Sequence, residues 1–388
     1  MKKILYYLFV AMVMLFVPHI ASAATHIVVS IPQHFGVFLG SGVARYGAPS
    51  VVMATAALST GNLTLADWAK RLDPDGKVPV IAELLNQTNE ILLDMVWKEG
   101  NLPTGHRTTV RTGLPAVFWR LLNQGVSPSK SKTAQIDEGC GMLEAWSEVD
   151  KDLALLNGNV NAFRLSEARA FLEAMSQELA RVLFYGNNGA TPEQFNGLAV
   201  RYSDSTAQNT DNIIKGGGVG SDNTSIYLIG WDDETIHGIF PKGSKAGIIH
   251  EDKGEQIVYG ANGMGASRLV ALVDHFQWKA GIALKDWRYV VRICNIDISD
   301  LNAANVKTII NAMEQAAETI GTGAKGLGKP VFYANRTIRR FLRREARESV
   351  GTGGGLTFEN FAGQRVLMFG DIPVRRSDAL LNTEALVA

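Results

Sequence analysis

The residues best suited by type and spacing to chemistry lie in GTGAKGLGKP, residues 321–330. Gly321, Gly323 and Gly326 have the spacing of a dinucleotide-binding fingerprint, and Gly323 with Gly328-Lys329 nearly completes a phosphate-binding loop. Both devices need a strand before the loop and a helix after it, so that backbone N–H groups and a helix N-terminus face the phosphates. Here the apolar pattern places a helix, residues 302–320, ahead of the loop and a short strand, residues 331–334, behind it. Pro330 also stands where a Ser or Thr hydroxyl would ligate magnesium. The stretch reads as a helix-to-strand loop.

His250-Glu251-Asp252 and Asp274-His275 set acids beside imidazoles, yet no HExxH spacing or third ligand in register accompanies them. They read as solvated turn and strand residues. No GxSxG or other nucleophile motif is present. Cys140 and Cys294 lack the neighbours of a metal site or a redox pair and read as small core residues. No catalytic residue, metal site or cofactor is therefore assigned. Arg336, Arg340, Arg343, Arg344 and Arg347 recur along one side of a helix whose Ile338, Phe341 and Leu342 point elsewhere. That face could meet nucleic-acid phosphates. Glu345 and Glu348, interspersed on the same helix, favour a solvated face or a contact with another subunit.

The element that organises the chain is NAFRLSEARAFLEAMSQELARVLFYG, residues 161–186. Ala168, Phe171, Leu172, Met175, Leu179, Val182 and Leu183 make one stripe at helical spacing, with Asn161 as the expected cap and Gly186 to Gly189 as the expected left-handed end. At 1.5 Å per residue this spine helix spans about 39 Å. Before it, residues 105–138 carry threonines, valines and arginines in strand-like order around an Asn123-Gln124-Gly125 turn. Too few apolar residues are present there for a private core. The stretch reads as a projecting hairpin, marginal alone in water, with Arg107, Arg111, Trp119, Arg120, Lys130 and Lys132 available to a neighbouring chain.

Residues 62–97 read as two amphipathic helical pieces. Beyond the spine, strands are expected at 225–231, 247–259 with an Asp252-Lys253-Gly254 turn, 268–276 and 287–296. After the basic helix, residues 356–369 and 372–376 read as closing strands. With no long helix between the central strands, the sheet should be antiparallel or mixed, giving an α+β class.

Lysine plus arginine equal aspartate plus glutamate at 38 each, so no global field recruits nucleic acid or an anionic membrane. The N-terminus differs from the rest. Lys2 and Lys3 precede an apolar run to Val17, and Ala21-Ser22-Ala23 resembles a cleavage site, so residues 1–23 have the layout of a signal peptide. Residues 24–52 continue without any acid, and Met53 opens what reads as a cytosolic N-terminus. Export of a surface-layer or adhesin-like subunit, and translation from Met53, are the two explanations. Mass spectrometry of the natural protein separates them, because a mature chain beginning at Ala24 requires export.

The order of elements resembles the major capsid proteins of tailed bacteriophages, the Hong-Kong-97-type fold. More specifically, TTVRTGLPAVFWRLLNQGVSPSKSKTAQIDE, residues 108–138, and PEQFNGLAVRY, residues 192–202, are similar to the major capsid protein of short-tailed phages of the epsilon-fifteen type. The resemblance implies hexamers and pentamers of this chain in an icosahedral shell, assembled around a scaffold in the bacterial cytoplasm, joined to a portal and, in some members, to decoration proteins. Packaged double-stranded DNA would meet the inner surface, and no membrane takes part. It implies an N-terminal arm at 53–105, an extended loop at 106–137, a peripheral domain at 138–200 with 345–388, and an axial domain at 201–344. A coat assembled in the cytoplasm has no use for export, which favours Met53. Some members cross-link lysine to asparagine between subunits. Lys130 and Lys132 lie in the corresponding loop without an identifiable partner, so no cross-link is expected.

Overall fold

The computed structural model describes residues 87–156, 159–259, 268–301, 303–320, 328–348, 356–361 and 364–387. The signal-like segment, the acid-free extension, the first arm helix and most of the glycine-rich loop lie outside these residues. Among the described residues thirteen strands join in one network: β1 Trp97–Glu99, β2 Gly105–Gly113, β3 Lys132–Asp150, β4 Ile213–Lys215, β5 Asn223–Trp231, β6 Ile236–Phe240, β7 Ile248–Tyr259, β8 Arg268–Leu284, β9 Val290–Asp297, β10 Lys329–Ala334, β11 Leu356–Phe361, β12 Gln364–Phe369 and β13 Ile372–Arg376. The main path runs β11-β12-β13-β10-β5-β6-β8-β3-β2. It is mixed: β5 pairs antiparallel with β10 and β9, whereas β10 with β13 and β1 with β6 are parallel.

β5 is buried from end to end because both of its faces are covered. Tyr227, Ile229 and Trp231 point into a core shared with the spine helix, and Ile226 and Leu228 into a second core. The alternation is the two-residue period of a pleated strand. The second core is closed by helices Ala303–Thr319 and Arg336–Glu348, through Ile309, Met313 and Ala316 from one and Ile338 and Leu342 from the other.

The spine helix runs Val160–Tyr185 and lies along β3 and β8. Met175, Leu179, Val182 and Leu183 are buried, while Ala168, Phe171 and Leu172 are half-buried against the same core. Its cap is Asn159, whose side chain accepts from Ala162 N, and not Asn161. Gly186 is extended (φ −54°, ψ 137°) instead of left-handed. Glycine is required there for space: a Cβ would lie 2.3 Å from the Phe195 carbonyl oxygen.

Phe171 stacks on Phe276 of β8, ring centroids 5.9 Å apart and planes at 11°. Phe171→Asp is expected to destabilise the subunit by at least ~3 kcal/mol, because its carboxylate would face an apolar ring without a partner. Leu165→Asp, on the exposed side of the same helix, is expected to be close to neutral. Comparing the two urea midpoints checks this, and equal midpoints would show that the stripe does not face the core.

Other sequence expectations need correction. Of the second arm piece, the described residues from Gln87 on hold one helical turn, Ile91–Asp94, before β1; the part before Gln87 lies outside the described residues. Asp252-Lys253-Gly254 does not end a strand; it is a bulge within β7, where Gly254 takes φ +70° and the Asp252 side chain accepts from its N–H. Residues 356–369 form a hairpin of two strands, and residues 142–157, which from sequence read as one strand leading into the spine, change at Asp150, where β3 gives way to a short helix, Lys151–Leu155.

Candidate functional site: the projecting ribbon and its anchors

β2 and β3 form an antiparallel ladder from Gly105↔Gly139 to Gly113↔Lys132. Beyond Gly113 the ladder stops, and residues 114–131 contain no strand. Pro115 and Pro128 each remove a ladder donor, which is why strand-like composition does not become strand there. The Asn123-Gln124-Gly125 signal is a real turn, with Asn123 at φ 67° and Gln124 N donating to Leu121 O at 3.2 Å.

The ribbon tip is apolar and open to solvent. Trp119 is fully exposed at 104%, Val117 and Leu122 at 89%, Leu114 at 82%, and Phe118 and Leu121 are also exposed. A contiguous exposed apolar surface marks an interaction site in a soluble protein. Residues 107–136 also contain no acid, and Arg111, Arg120, Lys130 and Lys132 are exposed along them. Arg107 differs: its guanidinium is bidentate to Asp137 across the ladder, both contacts at 2.6 Å, and holds that carboxyl below its usual range.

The base of the ribbon is anchored. Glu138 is buried and accepts two bonds from Arg201, each 2.6 Å, so the PEQFNGLAVRY turn grips β3 just before it changes partner. β3 pairs with β2 up to Gly139 and with β8 from Cys140 onward. Sequence spacing could not find the Arg201–Glu138 pair, because 63 residues separate its partners.

The two acid-imidazole motifs are brought together: His250, Glu251 and Asp252 are exposed, as expected of solvated residues, whereas Asp274 is buried. The β7–β8 register sets Asp252 opposite Asp274. Arg164, from the first turns of the spine helix, donates to both carboxylates, at 2.6 and 3.1 Å to Asp252 and 2.7 and 3.1 Å to Asp274. Asp274 is buried, and His250 Nε2 lies 2.9 Å from its Oδ1. His275 points to the opposite face and stacks on Trp146 at 4.2 Å. The cluster staples helix to sheet. Arg164→Ala, which strands a buried carboxylate, is expected to cost about 3 kcal/mol in urea unfolding; a change below about 0.5 kcal/mol would refute the staple.

Arg336, Arg340, Arg343 and Arg344 are exposed, while Ile338, Phe341, Leu342 and Ala346 of the same helix are buried. Arg344 also lies over the Phe341 ring at 4.7 Å and pairs with Glu345 at 3.6 Å. Arg347 belongs to the last turn of this helix. Asn335 caps it by accepting from Ile338 N at 2.8 Å. Of the glycine-rich motif, Gly328 onward is described: a helix precedes the loop and β10 follows, the reverse of a phosphate-binding unit. Among the described residues no group of three or more His, Cys, Asp or Glu could hold a metal ion.

A family model described as major capsid protein GP7 matches residues 73–388. A chain in the solved structure of bacteriophage Epsilon15 is similar at 32% identity and a TM-score of 0.69, covering 86% of this chain and 99% of that one. A chain of the bacteriophage JBD30 capsid is similar at 11% identity and a TM-score of 0.41, covering 76% of this chain and 93% of that one. No curated protein matches.

Proposed function

The chain belongs to the major capsid protein GP7 family, and from that premise we propose how it builds a shell. It is a structural protein with a Hong-Kong-97-like mixed α+β fold that associates with itself into the capsid of a bacteriophage, and its place is the virion. In our reading the ribbon, residues 106–137, clasps a second copy. The observation that carries this is the run of exposed apolar side chains around Trp119, from Leu114 to Leu122, the kind of surface that an interaction covers. The arm at 53–105 reaches a neighbour, residues 138–200 with 345–388 form the peripheral domain, and residues 201–344 form the axial domain around which hexamers and pentamers close.

Assembly takes place in the bacterial cytoplasm on a scaffold, with a portal at one vertex and double-stranded DNA packaged inside. A decoration protein is an optional further partner. The exposed arginines of helix Arg336–Glu348 face either that DNA or another subunit, and a salt-dependent affinity for DNA would select the first. The protein catalyses no reaction in this role. Negative-stain microscopy of protein expressed from Met53 tests the reading: closed shells or capsomer rings are expected, and a persistently monomeric protein would overturn it.

A further inference from the structure

Two imidazoles meet where the ribbon leaves the sheet. His106 of β2 and His237 of β6 stand edge to face, ring centroids 5.8 Å apart and planes at 79°. His237 is fully buried, and neither ring nitrogen has a hydrogen-bond partner; Nδ1 of His106 is also buried without one. Folded proteins seldom leave such atoms unsatisfied.

The charged groups around the pair leave an imidazolium without a counter-ion. Lys98 of β1 and the residue after β8, Lys285, both disfavour positive charge on either ring. The acids in reach are Glu138, opposite His106 in the ladder, and Asp233, in the turn before β6. Glu138 is already bidentate to Arg201, and Asp233 pairs with Lys98 at 3.6 Å. Burial, with Lys285 next, lowers the pKa of both histidines, and that of His237 to about 4.

The surrounding elements decide which side can yield. β6 is held by β1 on one edge and β8 on the other, with Gly238 packed under Met95 and Trp97. β2 is laddered to β3 alone, and at the point where β3 changes partner Gly105 faces Gly139. Two opposed glycines make that point the natural hinge.

We infer that the His106–His237 contact is an acid-sensitive latch: protonation of the pair lifts β2 off its one ladder partner, residues 132–139 of β3, which stay anchored through Glu138 and Arg201, while the rest of the subunit stays folded. The inference goes beyond the shell-forming role and stands on the ribbon root alone. The sign follows from linkage. The latched imidazole titrates below its ordinary value near 6.5, and the released one regains it, so the released state binds more protons between about pH 6.5 and 4. Opening therefore strengthens as pH falls through that window and is flat above it. From pH 7 to pH 5 the release of His237 alone should raise the opening equilibrium about twenty-fold.

Hydrogen-exchange mass spectrometry on dispersed full-length subunits at pH 7, 6 and 5, corrected for intrinsic exchange, tests this. Peptides covering residues 105–113 and 132–139 should lose protection about twenty-fold on acidification, with residues 160–185 unchanged. His237→Leu, and His237→Gln should the leucine variant fail to fold, should remove the pH dependence. The latch is refuted by an equal pH response in the variants, by no response in the wild type, or by loss of protection spread equally over the spine helix.

Discussion

Glu384→Ala is expected to lower the stability of the subunit by about 3–5 kcal/mol, a large part of what a domain has. Glu384 lies in the C-terminal tail, bridged to Asn223 of β5, and is buried; its Oε2 accepts from Arg292 Nη2 of β9 at 2.7 Å. Hydroxyls of Ser225 and Tyr185 donate to the same carboxylate. Arg292 spends its other donors on the Tyr202 carbonyl at 2.9 Å, the Ala199 carbonyl at 3.3 Å and Ser225 Oγ at 3.1 Å. Every charge is matched while the tail is docked. Removing the carboxylate leaves a buried guanidinium that cannot lose its proton, which is the costly way to break such a pair.

The tail is also tied by Asn295, whose side chain exchanges two bonds of 2.9 Å with the Val387 backbone, so the last residues belong to the core. The double variant Arg292→Met, Glu384→Met should recover most of the loss, because a buried ion pair replaced by apolar groups of similar volume is often near neutral. Urea unfolding of the three proteins is the measurement. An alanine variant within about 0.5 kcal/mol of wild type would mean that the tail is not docked as described.

The second large effect concerns assembly and not folding. Serine at Phe118, Trp119 and Leu122 together should leave the melting temperature unchanged, since all three side chains already face water. Covering each on association is worth about 1.5–3 kcal/mol, so losing three should raise the concentration needed for assembly by on the order of a thousandfold or more. Sedimentation of variant and wild type at matched concentration reads this directly. Normal shells from the variant would remove the ribbon from the interface. Serine at Arg120 and Lys130 should have a smaller effect that fades with salt, because exposed charges are screened.

The spine helix and the second-core helix at 303–319 were legible because each carries a 3.6-residue apolar period, and the all-buried β5 because Ile226 to Trp231 is a short, nearly continuous apolar run. The ribbon was legible for the opposite reason: residues 105–138 hold strand formers and a turn but too little to bury. Its extent was misjudged where Pro115 and Pro128 outweigh local β propensity. The Asp252-Lys253-Gly254 signal was misjudged as well, since glycine after a polar pair suits a bulge as well as a turn and only the β8 partner decides between them. The cap of the spine fell to Asn159 over Asn161, a choice between equivalent residues that packing makes.

What the chain alone determined was the kind of elements: amphipathic segments enough for cores, and a stretch of strand formers with too few apolar residues for a core of its own. Those properties depend on residue type and near-neighbour spacing, which are present before folding. The tertiary structure alone decided the anchors. Arg164 with Asp274, Arg201 with Glu138, Arg292 with Glu384 and His106 beside His237 join residues 110, 63, 92 and 131 positions apart. No local pattern encodes such pairs, because whether a charge or an imidazole is costly or stabilising depends on the dielectric and the partners that only strand register and burial supply.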